Sequence, residues 1–94
     1  MFTKPQGNTI QSDSGFTVRQ RGMAGMVYME GEKVMDVDSE VQGLPETTIA
    51  VWRSTVRAWR PPHDKEVITE AKREEILNNI RAALEWNNTR VIIA

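Results

Sequence analysis

Trp59-Arg60-Pro61-Pro62-His63-Asp64 divides the chain into a strand-rich half and a single helical segment. Each of the two prolines fixes its own φ at roughly −65° and pushes the residue before it into extended geometry. The segment is therefore stiff, and it holds an aromatic ring, a cation, an imidazole and a carboxylate in a nearly fixed relation. A rigid polar platform of this kind suits recognition better than it suits catalysis.

Upstream of this segment, apolar and polar residues alternate in the pattern of half-buried strands. The strand around 23–30 has apolar residues on both faces, so we expect it to be central, with Gly22 or Gly25 at a bulge. Glu30-Gly31-Glu32-Lys33 predicts a tight hairpin, since Gly31 tolerates a positive φ. Gly43-Leu44-Pro45 is expected to end the following strand. The predicted strands cover residues 9–11, 16–20, 23–30, 34–42 and 47–59, the last with a break near Arg53-Ser54.

Downstream, the apolar pattern changes to the period of a helix. Thr69 is a good N-cap, and Asn87-Asn88 can end the helix in a left-handed turn. Residues 90–94 predict a short last strand. One helical stripe carries Ile76, Leu77, Ile80, Ala83 and Leu84. We therefore predict an α+β fold: a mainly antiparallel sheet of four to five strands packed on one C-terminal amphipathic helix, followed by a short last strand. Residues 1–94 form a single domain, with 1–8 as a loose N-terminal arm.

Composition narrows the function classes. The chain has 94 residues, a net charge of −1 and no cysteine. A domain of this size has little interior for a deep active-site cavity. The lack of cysteine excludes disulfides and thiolate metal sites. No signal peptide is visible, and no stretch approaches the roughly 20 apolar residues that cross a bilayer. We expect a soluble, cytoplasmic protein with no membrane partner.

Charge is concentrated in the middle of the chain. Residues 30–46 carry six carboxylates against one lysine, between two mildly basic flanks. Nucleic acid binding requires a continuous basic face, so direct nucleic acid binding is not expected. The plain interpretation of Asp36, Asp38 and Glu40 is the solvated face of an antiparallel strand. Their density, with Glu32 at the hairpin, favours a basic protein partner instead.

The segment Trp59 to Asp64 also contains a candidate catalytic pair. His63 beside Asp64 suggests a general base, but neighbouring side chains of an extended segment point in different directions. A lone histidine without cysteine cannot build a zinc site. We therefore expect no enzyme, no metal and no cofactor, and either structural hydrogen bonding or partner contact for His63. Tryptophan and arginine are frequent interface hot spots. The predicted contact edge comprises Trp59, Arg60, His63, Asp64 and Glu66.

The block Trp59-Arg60-Pro61-Pro62-His63-Asp64, followed by Ile68 and a helix with Ile76, Ile80 and Ala83, resembles bacterial immunity proteins of the immunity protein 74 type. These belong to polymorphic and contact-dependent toxin systems. The similar feature is a W-x-P-P-(aromatic or His)-(acidic) motif between a strand meander and a C-terminal helix. The resemblance is sharpest over residues 59–84 and architectural over 9–55.

The resemblance implies that the chain binds a cognate toxin domain in the cytoplasm and neutralises it without catalysis. If the toxin is a nuclease with a basic groove, the stripe Glu32, Asp36, Asp38 and Glu40 would mimic nucleic acid phosphates. Two alternatives from other classes stay open. One is a small hydrolase or metal-dependent enzyme that uses His63 and Asp64. The other is a domain that self-associates through an exposed strand edge.

Overall fold

The computed structural model describes residues 1–43 and 47–94. Within those residues the chain forms one sheet of seven strands, in which the spatial order of the strands follows their order in the sequence. The elements are β1 (Phe2–Gln6), β2 (Thr9–Ser12), β3 (Phe16–Gln20), β4 (Ala24–Glu30), β5 (Lys33–Gln42), β6 (Thr48–Val51), a 3₁₀ turn (Arg53–Thr55), α1 (Glu70–Trp86) and β7 (Arg90–Ile93).

The sheet is mixed. Strands β1 to β6 form an antiparallel meander. Strand β7 runs parallel to β6, because α1 forms a crossover connection that returns the chain to the same end of the sheet. The predicted α+β class with one C-terminal helix is confirmed. The predicted number of four to five strands was wrong, since the N-terminal residues add to the sheet.

Residues 1–8 do not form the expected loose arm. Strand β1 pairs antiparallel with β2, with Phe2 opposite Ser12. The ring of Phe2 packs at 5.9 Å from Phe16 and at 5.7 Å from Trp86. The N-terminal segment is polar in composition, but its one aromatic residue packs on residues that are distant in sequence, and this packing orders the segment.

Strand β4 is central, as expected. Met26, Val27 and Tyr28 are all almost inaccessible, so both of its faces are covered. The hairpin to β5 turns at Gly31, where φ is +58°. At the far end Gly25 has a φ of +83°, and the register shifts between Ala24 and Met26, which confirms the expected bulge. The predicted break at Gly43-Leu44-Pro45 falls mostly on residues 44–46, outside the described residues.

Helix α1 supplies one side of the core. The Thr69 hydroxyl accepts a hydrogen bond from the backbone N–H of Lys72 at 3.1 Å, and Asn88 takes a φ of +58° after the last turn. The whole predicted stripe is buried: Ile76, Leu77, Ile80, Ala83 and Leu84. Burying one leucine- or isoleucine-sized side chain stabilises a fold by about 1.5–3 kcal/mol. The helix contacts β7 at one sheet edge and β2 and β3 toward the other, so the sheet curls around it.

The predicted strand at 47–59 is shorter than expected. Strand β6 ends at Val51, and the 3₁₀ turn forms where the break near Arg53-Ser54 was predicted. Residues 56–60 then return along the sheet without joining it as a strand, while Val56 and Trp59 insert into the core. In the part of the chain that the structure describes, no helix has the length and apolar character of a membrane span.

Candidate functional site

Residues 59–66, here called the proline segment, are fixed to the sheet by Trp59. This side chain is only 2% exposed, and its ring stacks on Tyr28 with centroids 6.2 Å apart. Its indole N–H donates to Glu66 Oε2 at 2.9 Å, and Lys33 donates to Glu66 Oε1 at 2.6 Å. The hydrogen bond from Lys33, supported by that from Trp59, lowers the pKa of the Glu66 carboxyl. Trp59 and Glu66 are therefore bound to other parts of this chain.

Arg60 forms a second attachment, to the middle of β5. Its guanidinium donates from Nε to Asp36 Oδ2 at 2.7 Å and from Nη2 to Asp36 Oδ1 at 2.5 Å. The Arg60 backbone N–H donates to the Val34 carbonyl at 2.7 Å. Arg21 contacts the same carboxylate at 3.3 Å. The hydrogen bonds from Arg60 lower the pKa of the Asp36 carboxyl. Two guanidinium groups thus already neutralise Asp36.

The rest of the proline segment lies at the surface. The Pro61-Pro62 peptide bond is cis, and the chain turns through backbone hydrogen bonds from His63 to Arg60 and from Glu66 to His63. His63 is half-buried and Asp64 is exposed. Within residues 1–43 and 47–94, no hydrogen bond joins the imidazole to the Asp64 carboxylate. The two groups predicted to be a possible catalytic pair are therefore not assembled as one.

Strand β5 alternates as predicted. Met35 and Val37 point into the core, whereas Asp36, Asp38 and Glu40 are exposed on the face of the sheet away from α1, here called the outer face. The three carboxylates nevertheless have different surroundings. Asp36 is held by Arg60 and Arg21, but the Asp38 and Glu40 carboxylates make no hydrogen bond or ion pair to any described residue. Glu32, at the hairpin, is exposed and equally without a partner among the residues described.

Asp38 and Glu40 line an open groove of about 680 Å³, here called the β4–β5 groove. The groove also contains apolar surface: Met23 is 71% exposed, and Trp52 is half-buried. The Trp52 backbone N–H donates to the Asp38 carbonyl at 3.0 Å, which fixes this tryptophan beside β5. The lining residues are Arg21, Met23, Ala24, Gly25, Asp38, Ser39, Glu40, Val41 and Trp52.

Neither Trp52 nor Met23 was among the residues predicted to form the contact surface. The available signal was the pair of glycines around Met23. Gly22 and Gly25 both adopt a positive φ, so the strand direction changes there and exposes the thioether. An apolar residue between two glycines at a strand end is thus a candidate for an exposed apolar side chain.

A second polar cluster lies between β4 and α1. The Tyr28 hydroxyl donates to Glu30 Oε2 at 2.5 Å and accepts from Asn79 Nδ2 at 2.8 Å. Lys72 donates to Glu30 at 2.8 Å and to Glu75 at 2.5 Å. Burial, with the hydrogen bond to Glu30, raises the pKa of the Tyr28 hydroxyl far above its usual value. A neutral phenol with two hydrogen bonds holds the helix on the sheet and is a poor base.

The part of the chain that the structure describes contains no candidate metal cluster. No three histidine or carboxylate side chains among those residues lie close enough together to hold a metal ion.

A family model described as immunity protein 74 matches residues 22–94. This chain belongs to the immunity protein 74 family. The match confirms the resemblance that the block around Pro61-Pro62 indicates. It includes both the proline segment and the β4–β5 groove, and it begins after β3. No curated protein and no solved structure matches the chain.

Proposed function

We propose that this member of the immunity protein 74 family binds and neutralises a cognate bacterial toxin domain in the cytoplasm, without catalysis. The observation that carries the proposal is the family match over residues 22–94. An immunity protein has a toxin as its partner. To neutralise the toxin, the immunity protein then needs only a preformed surface. That surface must cover a part of the toxin on which the toxin's activity depends.

The electrostatics favour a basic surface on the toxin. Four exposed carboxylates have no partner within the described part of the chain: Glu32, Asp38, Glu40 and Asp64. Complementary charge raises the association rate and selects the partner more than it raises affinity. A nuclease, whose substrate groove is basic because it binds phosphates, is the toxin class that fits best. Asp36 contributes less than its neighbours, because Arg60 and Arg21 already balance its charge.

The proline segment has a positioning role in this proposal. Trp59 and Glu66 are engaged with β4 and β5, so they hold the segment in place and do not themselves meet the toxin. Of the predicted contact residues in the segment, His63 and Asp64 make no side-chain hydrogen bond or ion pair to any described residue, so their side chains are available to a partner. They form a rim beside the ion pair of Arg60.

The proposal is tested by co-expression with the toxin domain encoded beside this chain. We expect the chain to restore growth of cells that make the toxin, and the two proteins to purify together as a one-to-one complex. A toxin domain from an unrelated system is the control and should not be neutralised. Absence of binding between the purified pair at low salt would contradict the proposal.

The enzyme alternative is separated by His63→Ala. A binder should retain neutralisation, because His63 makes no side-chain hydrogen bond within residues 1–43 and 47–94. An enzyme that uses the imidazole as its base would lose turnover by about 10²–10⁴-fold. Product formation by the pure wild-type chain, abolished in this variant, would establish the enzyme. Sedimentation of the chain alone separates a monomer that awaits its partner from a self-associating domain.

A further inference from the structure

We propose that the β4–β5 groove is the part of the surface on which the toxin docks, and that it receives an arginine-bearing segment of the toxin. This inference rests on the proposed function and names the site and the chemistry of the contact.

The carboxylates along β5 differ in whether the chain itself neutralises them. Asp36 has two guanidinium partners within the chain, whereas Asp38 and Glu40 have none among the described residues. Asp38 and Glu40 lie two residues apart on one face of a strand, a separation of roughly 7 Å. Like charges this close disfavour the free protein. A cation placed between them removes that repulsion, so the groove is complementary to a positive group.

Apolar surface lies beside the two unpaired carboxylates of the groove. Met23 is exposed at the rim, and the half-buried Trp52 lines the same groove. Gly25 also lines the groove, and no heavy atom lies within 4 Å of the position that a Cβ would take there, so the groove is open at this residue. A planar guanidinium stacks on an aromatic ring and also pairs with carboxylates, whereas a lysine ammonium is a compact, strongly hydrated point charge. An arginine fits this combination better than a lysine.

The outer face has a further apolar residue beyond the groove. Ala24 pairs with Glu40, Glu40 with Ala50, and Ala50 with Ile92. Ala50 is buried, whereas Ile92, two strands from β5, is 43% exposed. Exposed apolar side chains thus lie both at the groove and beyond it. A polypeptide segment with an apolar residue near its arginine matches this arrangement.

The test measures the affinity of the neighbouring gene's toxin domain for two charge-reversal variants. The groove variant carries Asp38→Lys and Glu40→Lys. The matched control carries Asp13→Lys and Glu85→Lys, the same change of charge at exposed carboxylates outside both the groove and the proline segment. We expect the groove variant to lose about 100-fold or more in affinity and the control less than about 5-fold. Equal losses in the two variants would overturn the inference. Far-ultraviolet circular dichroism confirms that both variants are folded.

A photo-crosslinking amino acid at position 23 provides a second measurement that does not depend on charge. We expect it to link to the toxin at a segment that contains an arginine. The same group at Val67, which is 81% exposed and lies outside the groove, should give no product. A link from position 23 to a segment without arginine, or a link from position 67 alone, would overturn the inference.

The two proposals fail in different ways. If the wild-type chain does not bind the toxin, the proposed function and this inference both fall. If the wild-type chain binds and the groove variant binds equally well, the immunity function stands and only the groove assignment is lost. Replacing the linked toxin arginine with glutamate should restore affinity for the groove variant by at least about 10-fold, as expected for a direct charge pair.

Discussion

The proline segment and the β4–β5 groove contain the same kinds of side chain and use them differently. Each has a tryptophan, carboxylates and a nearby arginine. In the proline segment these groups bind one another or the sheet, as Trp59 does with Glu66. In the groove, Asp38 and Glu40 face solvent without a partner among the described residues. Residue types that mark an interface therefore also mark an internal anchor, and only tertiary placement distinguishes the two.

The largest difference between the two regions is expected in stability. Trp59→Ala should lower the free energy of unfolding by about 3–5 kcal/mol, because a fully buried indole is lost from the core. Trp52→Ala, at the half-buried tryptophan of the groove, should cost about 1–2 kcal/mol. Urea denaturation of both variants measures the difference. Similar losses at the two positions would show that Trp52 is also a core anchor.

A smaller effect is expected beneath the proline segment, at Tyr28. Tyr28→Phe should lower the free energy of unfolding by about 1–2 kcal/mol, because Glu30 and Asn79 each lose a hydrogen-bond partner. Tyr28 is the only tyrosine, so a tyrosinate signal that appears near 295 nm comes from it alone.

The pH dependence of Tyr28 has a definite sign. Its pKa is raised in the folded protein, so the contribution is complete below the unfolded value of about 10 and is lost as pH rises above it. We expect the tyrosinate signal to appear together with unfolding. Ionisation near pH 10 in a chain that is still folded would contradict the buried network.

The smallest effect concerns the ion pairs of Asp36 on β5. The pKa of Asp36 is lowered in the folded protein, so its contribution is present above about pH 4 and is lost as pH falls through the folded value. Asp36→Asn should therefore flatten the acid-side loss of stability relative to the wild-type chain. The difference should shrink in high salt, since Asp36 is about half exposed and its pairs are screened. Denaturation midpoints at decreasing pH test this, and equal acid dependence in the variant and the wild-type chain would contradict the assigned pairing.

Local rules predicted the elements whose determinants are local. The α1 stripe, the Thr69 cap and the alternation along β5 follow from periodicity and capping chemistry within one segment. Strand β1 was missed because Phe2 finds its partners, Phe16 and Trp86, only after the sheet has curled around the helix.

The candidate site was predicted in part, for a related reason. Sequence patterning placed Asp36, Asp38 and Glu40 on one face of β5, but not their different partners. The Arg60–Asp36 ion pair joins residues 24 positions apart, so it depends on the path of the chain after β6. Met23 was missed because its exposure depends on the backbone of the two glycines beside it.

Oxidative footprinting of the complex tests docking on the β4–β5 groove, because methionine and tryptophan side chains report their own exposure. We expect toxin binding to slow oxidation at Met23 and Trp52, to leave the exposed Trp86 reactive, and to change nothing at the buried Trp59. Unchanged rates at Met23 and Trp52, with protection confined to His63, would place the contact on the proline segment and contradict docking on the groove.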